Sequence, residues 1–128
     1  MEVKTNMGMV KGTDFVCVGT EDFERADKFY GDVLGLERSK QWGEHPAREY
    51  ETGNLTIAVM QMDAFGQEFK ASNQPIALQV DDVAAAREQL EAEGVTFVMD
   101  NIDSGVCHMA YCTDPDGNTL ILHHRYAD

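Results

Sequence analysis

The chain repeats itself. The clearest copy is Asp114-Pro115-Asp116-Gly117-Asn118, set between two strand-like runs, and a weaker copy is Glu51-Thr52-Gly53-Asn54. Each turn is preceded by an apolar run, an aspartate and a helical stretch. Asp22 matches Asp82, Gly35 matches Gly94 and Gly53 matches Gly117, with little drift in spacing. An internal repeat constrains architecture before any residue is given a role, because each copy is one supersecondary unit.

The first copy opens on Thr13-Asp14-Phe15-Val16-Cys17-Val18, a β-rich run. Glu21 or Asp22 then caps a helix, and Phe23, Ala26, Phe29, Tyr30 and Val33 share one face at helical spacing. Gly31 and Gly35 are expected to stop it. Leu36 to Trp42 reads as a strand, Arg48-Glu49-Tyr50 leads into the Gly53-Asn54 turn, and Leu55 to Met62 returns. The second copy follows the same order. Pro75 to Val80 is a strand, and Asp81 or Asp82 caps a helix with Val83, Ala86 and Leu90 inside. Gly94 ends that helix, and strands follow at 95–99, 106–112 and 119–123.

Each copy is therefore βαβββ. The expected fold class is α+β: two tandem βαβββ modules forming a cupped, partly open mixed β-barrel with helices outside. A helix covers one face of each sheet, and twist leaves the other face concave. The module boundaries are 12–62 and 75–124. The linker between them, 63–74, carries Gly66, Ser72 and Asn73 and is the best hinge in the chain. At 128 residues the whole is expected to be one domain.

Composition narrows the partners. A net charge of −13 disfavours nucleic-acid backbones and anionic membranes. It serves solubility or, on a sharper reading, an acidic groove that steers a cationic ligand. No run is apolar and long enough for a membrane helix. Met1-Glu2-Val3-Lys4 lacks the basic start and apolar stretch of a secretory signal. Cys17, Cys107 and Cys112 are odd in number and match no zinc spacing, so buried reduced thiols and a cytoplasmic location are expected.

Three stretches resemble the vicinal oxygen chelate superfamily, the glyoxalase/bleomycin-resistance/extradiol-dioxygenase fold. They are Phe15-Val16-Cys17-Val18 with Asp22 and Ala26, then Phe29-Tyr30-Gly31-Asp32-Val33-Leu34-Gly35-Leu36, then Asp114 through Leu122. The likeness covers roughly residues 12 to 124. It implies a site between facing sheets, and a homodimer in which two chains complete or flank the cavities. It also implies four metal-ligand positions, which fall here on Phe15, on Ile57 or Ala58, on Pro75 and on Ile121. None of these side chains can bind a divalent cation. The expectation is therefore no metal and no cofactor.

Asp114 and Asp116 are turn formers first, with Pro115 presetting φ and Gly117 taking positive φ. Antiparallel pairing around that turn sets Tyr111 opposite Ile121 and Met109 opposite His123. His123 shares a face with Ile121, and His124 takes the other. His123 and Tyr111 are the candidate polar contacts of a pocket, with core packing the alternative for Tyr111. Ala58, Met60 and Met109 are candidate lining, because thioethers suit adaptable cavities. Met1, Met7 and Met9 read instead as a disordered start. Trp42 is placed to stack on a planar ligand or simply to pack. Arg48 is placed to meet a ligand anion or one of the many carboxylates. His45, His108 and His123 are a conceivable relocated metal set, with ordinary hydrogen-bonded histidines the alternative. No serine–histidine–acid pattern, phosphate loop, CxxC or HExxH appears.

The function expected is small-molecule binding without the usual metal ligands, drug sequestration being one form of it. The alternative is a metal-dependent glyoxalase-like lyase or isomerase, or a dioxygenase, with a relocated metal. A module with no ligand, driven by stability or a partner, is a third option.

Overall fold

The computed structural model of the protein describes residues 8–128. The expectations for Met1 and Met7 lie outside them, and Met9 is exposed. The fold is mixed α+β, with two sheets and two helices, and the sheets close no barrel.

The first sheet holds β1 (Val16–Thr20), β2 (Glu37–Gln41), β3 (Ala47–Glu51) and β4 (Thr56–Gln61) in the order β1-β4-β3-β2. β1 runs parallel to β4, and the other pairs are antiparallel. The second sheet holds β5 (Ile76–Gln79), β6 (Thr96–Phe97), β7 (Ile102–Asp103), β8 (Cys107–Thr113) and β9 (Thr119–Arg125). Its order is β5-β9-β8-β6, with β7 also on β8. β5 runs parallel to β9, as β1 does to β4. The repeat in sequence is thus a repeat in topology. The short strand β7 has no counterpart in the first module.

α1 (Phe23–Asp27) is capped by Asp22, whose side chain accepts from the Arg25 amide at 3.2 Å. α2 (Val83–Ala92) is capped by Asp82, which accepts from the Ala85 amide at 3.0 Å. Each cap satisfies an orphan donor and contributes about 1 kcal/mol. α1 does not stop at Gly31. It widens into a π-helical turn, Lys28–Val33, and ends where Gly35 takes a φ of 72°. Gly31 is there because the Arg38 guanidinium lies against it, where any Cβ would collide.

Alternate residues sort the two faces of each sheet. Val18, Tyr50, Ile57 and Val59 turn toward α1 and share a core with Ala26, Phe29 and Tyr30. Cys112 and Leu120 of the second sheet join the same core. Val83, Leu90, Ala110 and Leu122 form its continuation under α2. The helix-bearing sides of both sheets thus meet in one interior. Their opposite, open faces turn away from it.

The DPDGN turn locks the modules together. Asp114 accepts from the Tyr30 hydroxyl at 2.6 Å and from Asn118 Nδ2 at 2.9 Å. Asp116 accepts from the Thr20 hydroxyl at 2.5 Å, the Glu21 amide at 3.0 Å and Arg25 at 2.7 Å. The segment between the sheets is no bare tether. It begins with a 3-10 turn, Met62–Phe65, and both Met62 and Phe69 lie over Gly19, where a Cβ would sit 2.8 Å from Met62 Cγ.

Candidate functional site

On the first sheet the open face carries Phe15 and Cys17 from β1 and its approach, Ala58 and Met60 from β4, and Glu49 from β3. The register fixes this set, since Cys17 pairs with Ala58, Gly19 with Met60 and Glu49 with Ala58. It also decides between the two alternatives at β4. Ile57 points into the shared core and Ala58 to the open face. Phe15 is 37% exposed, whereas Ala58 is fully buried.

Trp42 stands at one end of this face. Its ring meets Phe15 at 5.4 Å and Phe65 at 6.2 Å, both edge-on, and its Nε1 donates to Glu49 Oε2 at 2.8 Å. The His45 ring lies 5.6 Å from that of Phe65. Glu49 and Phe65 escaped the sequence reading. β-strand parity with Ala58 could have found Glu49. Phe65 sits in a linker turn with no periodicity to expose it.

On the second sheet the open face carries Tyr111 and Met109 from β8, and Ile121 and His123 from β9. Tyr111 pairs with Ile121 and Met109 with His123, the arrangement expected from the turn. Ile121 is buried, and the other three are half-buried. Pro75 precedes β5 on the parity of Ala77, which pairs with Ile121.

Arg48 lies elsewhere. It is on the helix-bearing face, 3.4 Å from Asp27, beside Arg38 at 2.9 Å and the Tyr50 hydroxyl. Its strand position, one residue from Glu49, puts it on the wrong side for a ligand on the open face. Burial would raise the Asp27 carboxyl, but these donors and positive charges hold it below the usual carboxylate range. Of the two partners open to Arg48, a ligand anion or a carboxylate, the structure shows the carboxylate.

The three histidines do not assemble. His108 pairs with His124 across β8 and β9, on the face opposite His123. His108 stacks on Tyr126 at 4.5 Å and lies 3.5 Å from Asp103, while His124 Nδ1 contacts the Val80 carbonyl at 3.1 Å. Among the described residues no three His, Cys, Asp or Glu side chains converge to hold a metal. The open-face positions Phe15, Ala58, Pro75 and Ile121 offer no donor at all, so this donor set does not fit a divalent cation.

Cavities of about 430 to 440 Å³ open between α1, α2 and β5, under the DPDGN turn, and beside the Gly53 hairpin. None of the three is lined by Phe15, Trp42, Ala58, Met60, Met109, Tyr111, Ile121 or His123. The two open faces do not close on each other within the chain.

A family model for the Glyoxalase/Bleomycin resistance protein/Dioxygenase superfamily matches residues 12–122. The chain belongs to that superfamily. No curated protein matches it. Among solved structures of the superfamily fold, the lactoylglutathione lyase of Agrobacterium tumefaciens superposes with a TM-score of 0.72 at 17% identity, covering 91% of this chain and 95% of that one. A glyoxalase/bleomycin resistance protein/dioxygenase from Nocardioides gives 0.71 at 19%, covering 93% and 87%. A fosfomycin resistance protein from Listeria monocytogenes gives 0.72 at 19%, covering 91% and 94%. At such identities the likeness carries the superfamily fold and no particular activity. No helix among the described residues is long and apolar enough to cross a membrane.

Proposed function

We propose that this chain is a small-molecule-binding member of the superfamily that works without the usual metal ligands. The observation that carries the reading is the chemistry of the open faces. Where a metal catalyst needs convergent donors, this chain presents Phe15, Ala58 and Ile121. Around them stand Met60, Met109, Tyr111 and Trp42, with His123 as a polar group, which is the composition of a ligand pocket. Sequestration of a drug is one use of such a surface.

The same reading calls for a homodimer. Each open face points away from its own chain's core, so a cup requires a second face from a second chain. Two experiments test the pair of claims. Light scattering behind gel filtration should give a mass of twice 14.3 kDa. Metal-free protein should then be stabilised by members of a broad thermal-shift panel of organic compounds. A monomer that no compound stabilises would remove the basis for the reading.

A second reading, a lyase, isomerase or dioxygenase using a relocated metal, rests on His123, a half-buried imidazole beside Ile121 on an open face. Elemental analysis separates the two. Protein purified without chelator should carry far less than one ion per chain. Stoichiometric metal that disappears in His123→Ala would favour the enzyme.

A further inference from the structure

The rings at one end of the first open face form a corner rather than a stack. Phe15 and Trp42 meet with planes 62° apart, and Trp42 and Phe65 with planes 89° apart. Edge-on contacts leave ring faces available to a third group, and Phe15 is exposed enough to receive one.

Glu49 sits in the same corner. The indole Nε1 of Trp42 holds one carboxylate oxygen at 2.8 Å and so fixes the charge beside the rings. Glu49 is half-buried, yet among the described residues it has no cationic partner. Its situation is unlike that of Asp27, which has two arginines, or Asp116, which has Arg25. A bound cation would supply the counter-charge that no described residue gives Glu49. The rings favour the same guest, because their faces carry the negative end of the quadrupole. The net charge of −13 draws cations toward the surface as a whole.

The geometry points to an ammonium subsite, in which Phe15, Trp42, Phe65 and Glu49 hold the alkylammonium or quaternary ammonium group of a small organic ligand. This names the ligand class for the open face and rests on reading that face as a ligand surface.

Trp42 is the chain's one tryptophan, so its fluorescence reports on this corner alone. The test titrates the full-length protein with choline and with 3,3-dimethylbutan-1-ol, its neutral isostere. Choline should give a saturable change and bind roughly tenfold more tightly than the alcohol. Glu49→Gln should cut that preference, leaving only the part the rings supply, while weak binding of the alcohol stays unchanged. Raised salt should weaken choline and not the alcohol. Equal binding of the two probes overturns the subsite but leaves the ligand-binding reading standing. Absence of a saturable response to choline overturns it as well, even if the thermal-shift panel finds neutral ligands.

Discussion

The hydroxyl of Tyr30 donates to Asp114 at 2.6 Å across 84 residues of sequence. It joins the helix of one module to the turn of the other. Tyr30 is fully buried in the core shared by the two sheets. Burial, and then the neighbouring Asp114 charge, push its hydroxyl far above the ordinary tyrosine value, so it remains a donor throughout the working pH range.

Tyr30→Phe removes that donor with little change in volume. Asp114 keeps Asn118 and the amides of Asp116 and Asn118. The loss is therefore one hydrogen bond to a charged group, about 2 kcal/mol. The urea midpoint should fall with an unchanged slope, and Tm should drop by roughly 7 °C. A midpoint equal to wild type would mean that the turn is held by its other contacts alone.

Asp27 sets a pH dependence. Its folded carboxyl lies below its unfolded value, so the folded state binds fewer protons there. The stability it contributes is fully present above about pH 4 and is lost as pH falls through the lower folded value. Asp27→Asn should be less stable than wild type near neutral pH, with the gap narrowing as pH falls through the folded value. Denaturation series at neutral and acid pH measure the gap. A gap that stays constant would show that Asp27 acts through shape rather than charge.

Much of this was legible in the sequence. Helix caps were expected at Glu21 or Asp22 and at Asp81 or Asp82, and the second of each pair is the cap. The spacing around Gly117 gave the pairs Tyr111–Ile121 and Met109–His123 that the β8–β9 register shows. Gly31 was misread because a helix-stopping glycine and a glycine cleared for a distant arginine look identical in one dimension. For a related reason the sequence left Arg48 open between a ligand anion and a carboxylate. Which face it took depended on the register of β3 against β4, and Glu49, one residue on, took the other. The outward direction of both open faces was not legible either. It follows from the contact of Cys112 and Leu120 with the core of the first module, and no local pattern announces that contact.

Gly31→Ala should show opposite signs in two backgrounds. Alanine is the better helix former by about 1 kcal/mol. In the wild-type chain its Cβ must push away the Arg38 guanidinium, breaking bonds to Asp27 Oδ1 and to the Asp27 carbonyl, both 2.9 Å. The substitution should therefore destabilise wild type by about 1 kcal/mol, since each such bond to a charged group is worth at least as much as the helix gain. In an Arg38→Ala background nothing remains to displace, and the same change should stabilise by roughly 0.5 to 1 kcal/mol. A double-mutant cycle reads the difference directly. Equal effects in both backgrounds would mean that Arg38 moves aside at no cost.

Cys17 offers a reporter for the open face. Cys107 and Cys112 are buried, and burial followed by the Asp114 charge pushes the Cys112 thiol up to about 11. Cys17 is exposed and shares its face with Phe15 and Ala58. One thiol per folded chain should react with a soluble disulfide reagent, and Cys17→Ser should abolish that phase. Partial burial raises the Cys17 thiol above its ordinary value, so the reaction should be slow near neutral pH. The thiolate is the attacking species, so the rate should climb roughly tenfold per pH unit on the alkaline side until the thiol has ionised. A compound seated on the open face should slow the reaction in proportion to its occupancy. Two or more fast thiols in the folded chain would contradict the burial of Cys107 and Cys112. A rate indifferent to a saturating ligand would place that ligand away from Cys17.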